Sequence, residues 1–127
     1  MPVIAVSKGV RMSPRKTGVI VGLVRGRSVT DALTILEHTP RRAAEVVAQA
    51  IKSARANAEH NHGYRPDSLF ITKINVTKGP QFKRYRAAAR GRALPYTRKT
   101  SHIRVVIDGE KRVVKKPAAK VAKKETK

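Results

Sequence analysis

The sequence predicts an α+β fold: three helices, then two antiparallel strands drawn out into a long protruding basic β-hairpin, then a disordered basic C-terminal tail. Three observations carry this. Apolar residues recur every three or four positions between Ser13 and His62, the spacing of one helix face. β-branched residues crowd Leu69 to Lys78 and alternate again at Ile103, Val105 and Ile107. Between those two runs lies a basic stretch with too few large apolar side chains to bury a face of its own. The 127 residues make one domain, residues 1–110, with the hairpin extension at about 79–98 and the Lys-rich tail at 111–127.

The elements follow in order. Val3-Ile4-Ala5-Val6 is a short apolar run that reads as an edge strand. Ser13-Pro14 reads as an N-cap and first helical position, because proline lacks the N–H that would be orphaned there anyway. The helix it opens runs to Arg25, puts Ile20, Leu23 and Val24 on one face, and ends at Gly26. Gly18 and Gly22 inside it each cost roughly 1 kcal/mol against alanine. Their four-residue spacing allows close helix packing, close approach to RNA, or ordinary tolerance.

Ser28-Val29-Thr30-Asp31 resembles a capping box and opens a second helix with Ala32, Leu33 and Leu36 inward. Thr39-Pro40 repeats the start signal. The third helix carries Ala44, Val47, Ile51, Ala54 and Ala58 at steps of three or four and stops at Asn61-His62-Gly63. After Pro66 the period changes to that of strands, with Phe70, Ile74 and Val76 alternating against Lys73 and Thr77. Beyond Glu110 the residues are Lys, Ala, Val and Pro without a periodic pattern, the composition of disorder.

Charge dominates the composition. Twenty-nine Lys and Arg against eight Asp and Glu leave a net +21, which a polyanion would relieve and a free globular domain would not. An anionic membrane would call for a basic amphipathic helix with bulky apolar anchors or for a lipidation site. There is no Cys to acylate, Pro2 is expected to exclude N-myristoylation, and no apolar run reaches a transmembrane length. Without Cys, disulfides, thiolate metal sites and thiol catalysis also fall away. A cytoplasmic protein fits these features, and an organellar one is compatible with them.

The basic stretch is the expected functional device. From Ser68 to Ile107 there are ten Lys or Arg and no Asp or Glu. A charge run is usually a solvated face, but solvated faces mix signs. If the flanking strands pair with Ile74 opposite Val105, the midpoint falls between Ala89 and Arg90, and Gly91 supplies the φ freedom of a turn. Each arm then holds about ten residues and projects roughly 30 Å. Such a ribbon is marginal in water and needs something else to order it. Its Lys and Arg match phosphates, and Arg also stacks on bases.

No catalytic or cofactor site is expected. His60 and His62 lack a third ligand at useful spacing and read as a solvated helix terminus. Ser101 and His102 are neighbours on a strand, so they point to opposite faces and cannot act as a nucleophile–base pair.

Ser13-Pro14-Arg15-Lys16, Val24-Arg25-Gly26, Ala56-Asn57-Ala58-Glu59-His60-Asn61, Gly79-Pro80, Lys83-Arg84, Ala89-Arg90-Gly91-Arg92-Ala93 and Arg98-Lys99-Thr100-Ser101-His102-Ile103 follow in order. Together they resemble the large-subunit ribosomal protein "L twenty-two" family in its bacterial form, over roughly Val6 to Asp108. The resemblance implies a small antiparallel sheet packed on three helices and carrying an extended hairpin. It also implies binding to large-subunit rRNA, a part in early assembly, contact with neighbouring large-subunit proteins, and a hairpin that lines the nascent-peptide exit tunnel and meets the nascent peptide. In the family the hairpin tip influences macrolide response. Neither a membrane nor a homo-oligomer is expected.

The motifs make Lys83, Arg84, Arg90 and Arg92 hairpin residues against RNA or the tunnel wall, and Arg15, Lys16, Lys99 and His102 candidate rRNA contacts on the body and hairpin base. Arg86 and Arg98 join the candidate rRNA-binding set as cations of the two arms, and Ala89, Arg90 and Gly91 form the turn. Family members commonly carry a Pro and a further Arg before the Gly-Arg-Ala, where this chain has Ala87-Ala88-Ala89, and Leu94-Pro95-Tyr96-Thr97 is also a departure. The alternative is a free-standing regulator binding DNA or mRNA through a helix-turn-helix. Its recognition helix would need exposed base-reading residues, whereas the third helix is rich in Ala and Val.

Overall fold

The computed structural model describes residues 2–111. Strand β1 (Val3–Val10) is followed by helices α1 (Pro14–Val24), α2 (Val29–Glu37) and α3 (Arg42–His62), a 3-10 turn at Pro66–Ser68, and the long strands β2 (Phe70–Ala87) and β3 (Ala93–Asp108). The three strands form one antiparallel sheet in the order β1-β3-β2, so β1 is an edge, as its brevity suggested. One sheet face buries Val3, Ala5, Ile71, Ile74, Ile103, Val105 and Ile107 in a common core with the helices. Each Val or Ile among them contributes about 1.5–3 kcal/mol on burial. The core is therefore aliphatic apart from Tyr64 and belongs to the body alone.

Local chemistry explains the helices. Ser28 Oγ accepts the Asp31 N–H at 3.1 Å, the cap expected at the start of α2. On α3 every residue of the stripe Ala44, Val47, Ile51, Ala54 and Ala58 is buried. Gly63 then takes φ 64°, which lets the Tyr64 N–H donate to the Ala58 carbonyl and closes the helix. The loop between α1 and α2 is tied to the start of β2: the Val29 N–H donates to Leu69 O and the Ile71 N–H to Arg27 O.

Several local expectations are corrected. Leu23 is exposed, and α1 instead buries Thr17, Ile20, Val21 and Val24, an equally regular stripe one step round the helix. Ser13 is the N-cap and Pro14 the first helical residue, as expected, although the cap is made by the Ser13 carbonyl, which accepts from the Thr17 N–H and hydroxyl, and not by its side chain. Thr39 does not open α3. Its hydroxyl donates to Ile35 O at the end of α2, and Arg41 is the N-cap. Among the described residues a Cβ at Gly18 or Gly22 would meet nothing within 4 Å, so neither glycine serves close packing against them.

Phe70 points outward because the pairing of β2 shifts between Ile71 and Lys73. One extra residue there resets the alternation, so Ile71 and Ile74 both face the core. The tail expected over residues 111–127 lies outside the described residues apart from Lys111, which forms an isolated bridge with Tyr64.

Candidate nucleic-acid interface

The β2–β3 ladder has Ile74 opposite Val105, the register that set the expected midpoint. A second shift, between Lys78 and Gln81, takes up one more residue on β2 and moves the turn centre onto Arg90. The last β1 partner of β3 is Ser101, so from Gln81 to Ala87 and from Ala93 to Lys99 the sheet is a two-stranded ribbon without a third strand. At its tip the Arg92 N–H reaches Ala89 O and the Ala88 N–H donates to Arg92 O at 2.8 Å. Arg90 (φ 59°) and Gly91 (φ 70°) are both left-handed. This is the backbone of a type I′ turn, whose twist matches that of the flanking strands. Gly91 alone was expected to supply that freedom; an arginine shares it.

Alternation then sorts the arm into two faces. Opposed pairs Phe82–Arg98, Arg84–Tyr96 and Arg86–Leu94 share one face, and Gln81–Lys99, Lys83–Thr97, Tyr85–Pro95 and Ala87–Ala93 share the other. On the first face guanidinium groups lie over rings: Arg98 and Arg86 at 5.6 and 5.9 Å from the Tyr96 centroid, and Arg84 at 5.9 Å from that of Phe82.

At the base of the ribbon the body and the arm enclose a concavity of about 1170 Å³. Its cations are Arg11, Lys16, Arg41, Arg42, Arg84, Arg98 and Lys99, and no carboxylate lines it. The N-terminal ends of α1 and α3 both open into it through Ser13 and through Arg41–Ala43, and neither start carries a side-chain cap. First-turn amides and the positive end of each helix dipole thus add to the seven side-chain charges. The carboxylates of the described residues lie elsewhere, on α2 and α3, at Asp67 and at the end of β3. A site of this composition can hold phosphates and has no group arranged for catalysis.

Of the residues expected to bind RNA, the fold brings Lys16, Arg84, Arg98 and Lys99 together at the concavity. Arg86 lies farther out over Tyr96, Lys83 is on the opposite face of the arm, and Arg90 and Arg92 are exposed at the tip. Arg15 is exposed on α1 outside the concavity. His102 plays a structural part, since its Nδ1 accepts the Gly9 N–H at 2.9 Å, where β1 is irregular. Sequence reasoning missed Arg11, Arg41 and Arg42. Their one signal was adjacency to the helix starts.

Residues 5–108, the hairpin included, match the family described as Ribosomal protein L22p/L17e. The chain belongs to the ribosomal protein L22 family. It is 49% identical over 107 residues to the large ribosomal subunit protein uL22 of Clostridioides difficile (strain 630), an alignment covering 84% of this chain and 96% of that protein. As an L22 protein of bacterial type it is a structural, non-enzymatic constituent of the large ribosomal subunit and works in the cytoplasm as part of the ribosome. The long ribbon is thus a feature of an L22 body, and the match stops near the end of β3.

Proposed function

We propose that this L22 protein holds large-subunit rRNA between its basic concavity and its arm, supports early assembly of the subunit, and lines the nascent-peptide exit tunnel with the hairpin. Neighbouring large-subunit proteins and the nascent peptide are then its further partners. One observation carries the reading: seven cations without a carboxylate surround the foot of a ribbon that has no core of its own. Each phosphate held there releases counterions, and a partner that wraps the arm supplies the order that water does not.

A free-standing regulator of DNA or mRNA is disfavoured by α3. Its apolar stripe is spent on the core, and its outer positions mix Glu45, Gln49, Lys52 and Glu59 instead of presenting a basic reading face.

Sedimentation after a high-salt wash tests the reading. The chain is expected with the large subunit, and recovery mainly in the free pool would overturn the assignment. Replacing Arg41 and Arg42 with serine should lower the slope of log K against log salt by about 0.7–0.9 for each phosphate no longer neutralised. Deleting Lys83 to Arg92 should leave the body folded and alter the tunnel. Global unfolding of that variant would mean that the arm is part of the core.

A further inference from the structure

The chain has five aromatic rings, two Phe and three Tyr. Only Tyr64 is buried, whereas Phe82, Tyr85 and Tyr96 stand on the arm at 46, 70 and 38% exposure. Aromatic area is thus placed where no protein core exists to cover it. The ladder further concentrates it: Phe82 and Tyr96 share a face with Arg84, Arg86, Leu94 and Arg98, and a guanidinium-bearing residue stands opposite each ring. The opposite face has the single ring of Tyr85 among Ala, Pro, Thr and Lys.

The spacing has a chemical consequence. Side chains on one face of a strand recur every two residues, about 6.8 Å apart, which is about twice the 3.4 Å rise between stacked nucleotides. A base can therefore lie between successive side chains and touch both. The guanidinium-to-ring separations of 5.6–5.9 Å sit at the loose end of cation–π contact, so a long Arg side chain need swing only slightly to admit one. Arginine and aromatic rings both stack on base faces, and neither demands a particular base. Duplex RNA keeps its bases stacked on each other and offers this face only phosphates.

We propose that the Phe82–Tyr96 face of the arm, which forms one wall of the concavity, is a stacking platform for unpaired nucleotides, while the cations of the body wall, Arg11, Lys16, Arg41 and Arg42, take backbone phosphates of paired or unpaired RNA alike. This rests on the reading of the arm as RNA-bound and adds what kind of RNA each part accepts. The three arginines and the absence of any carboxylate on the arm favour RNA over a peptide as the occupant.

The test uses the full chain and two labelled RNAs of equal length and charge, a continuous duplex and the same duplex interrupted by an internal loop of unpaired nucleotides. Fluorescence anisotropy at fixed salt should show roughly tenfold or greater preference for the looped RNA. F82L/Y96L should lose that preference while keeping its duplex affinity and salt slope, and F82Y/Y96F should retain it. Equal affinity of the parent for both RNAs would overturn the proposal, as would F82L/Y96L keeping the preference, or losing duplex affinity in the same proportion. Failure to bind either RNA would overturn the RNA-bound arm itself, a result distinguishable from equal binding to both.

Discussion

Gly79 and Thr100 face each other across the base of the hairpin so closely that a Cβ on the glycine would lie 2.5 Å from the threonine Oγ1 and 3.2 Å from its carbonyl carbon. The hydroxyl has little room to yield, since it donates to Pro80 O at 2.6 Å and Thr100 is only 4% exposed. G79A should therefore destabilise the protein by about 1–3 kcal/mol, the cost of forcing a methyl into packed surroundings. Urea unfolding measures it. A midpoint equal to the parent's would show that the foot of the arm is soft.

Gly18 and Gly22 make the opposite case. Both are exposed inside α1 with open space where a Cβ would go. G18A and G22A should each stabilise the body by about 0.5–1 kcal/mol by removing backbone freedom from the unfolded chain. Thermal unfolding of the double variant checks the sum, and a decrease would contradict the open surroundings of these positions.

Tyr64 ties α3 to the end of β3. Burial pushes its phenol pKa up from the ordinary value of about 10, and the charge of Asp108 and a hydrogen bond to it act in the same direction. A pKa raised by folding means that the folded state holds the proton more tightly. Its contribution is fully present below about pH 10 and is lost as pH rises through the folded value. Stability should fall on the alkaline side of pH 10, and Y64F should flatten that fall. Parallel curves for the two proteins between neutral pH and pH 11 would exclude the linkage.

Arg90 carries a left-handed φ without being Gly, Asn or Asp, at a cost of roughly 1 kcal/mol. R90N, which suits a type I′ turn, should slow exchange of the Ala88 amide that donates to Arg92 O, by up to about fivefold. R90V should speed it. Identical exchange in all three proteins would mean that the turn does not limit opening of the tip.

Much of the body was legible because its determinants are local. The Ser28 cap, the buried stripe of α3 and its stop at Gly63 each depend on residues within a turn of each other. The pairing of Ile74 with Val105, taken as a condition for joining two alternating runs, is the observed one, and it located the tip to within half a residue of Arg90. Leu23 and Phe70 were assigned to the wrong side for definite reasons. Helix α1 has aliphatic residues on more than one face, so periodicity could not select the phase. The bulge near Thr72 has no signature in a run of β-branched residues.

The charge, the aliphatic core, the three helices and the acid-free arm were thus determined by the sequence alone, since each follows from composition or from contacts a few residues apart. The tertiary structure decided which cations act together. Arg11, Arg41 and Arg42 come from separate segments, and only the packing of α1 and α3 beside the hairpin brings them to Lys16, Arg84, Arg98 and Lys99. It also decided the two faces of the arm, because a one-residue shift at Gly79–Pro80 determines which side chains of β2 stand beside Tyr96 and which beside Pro95.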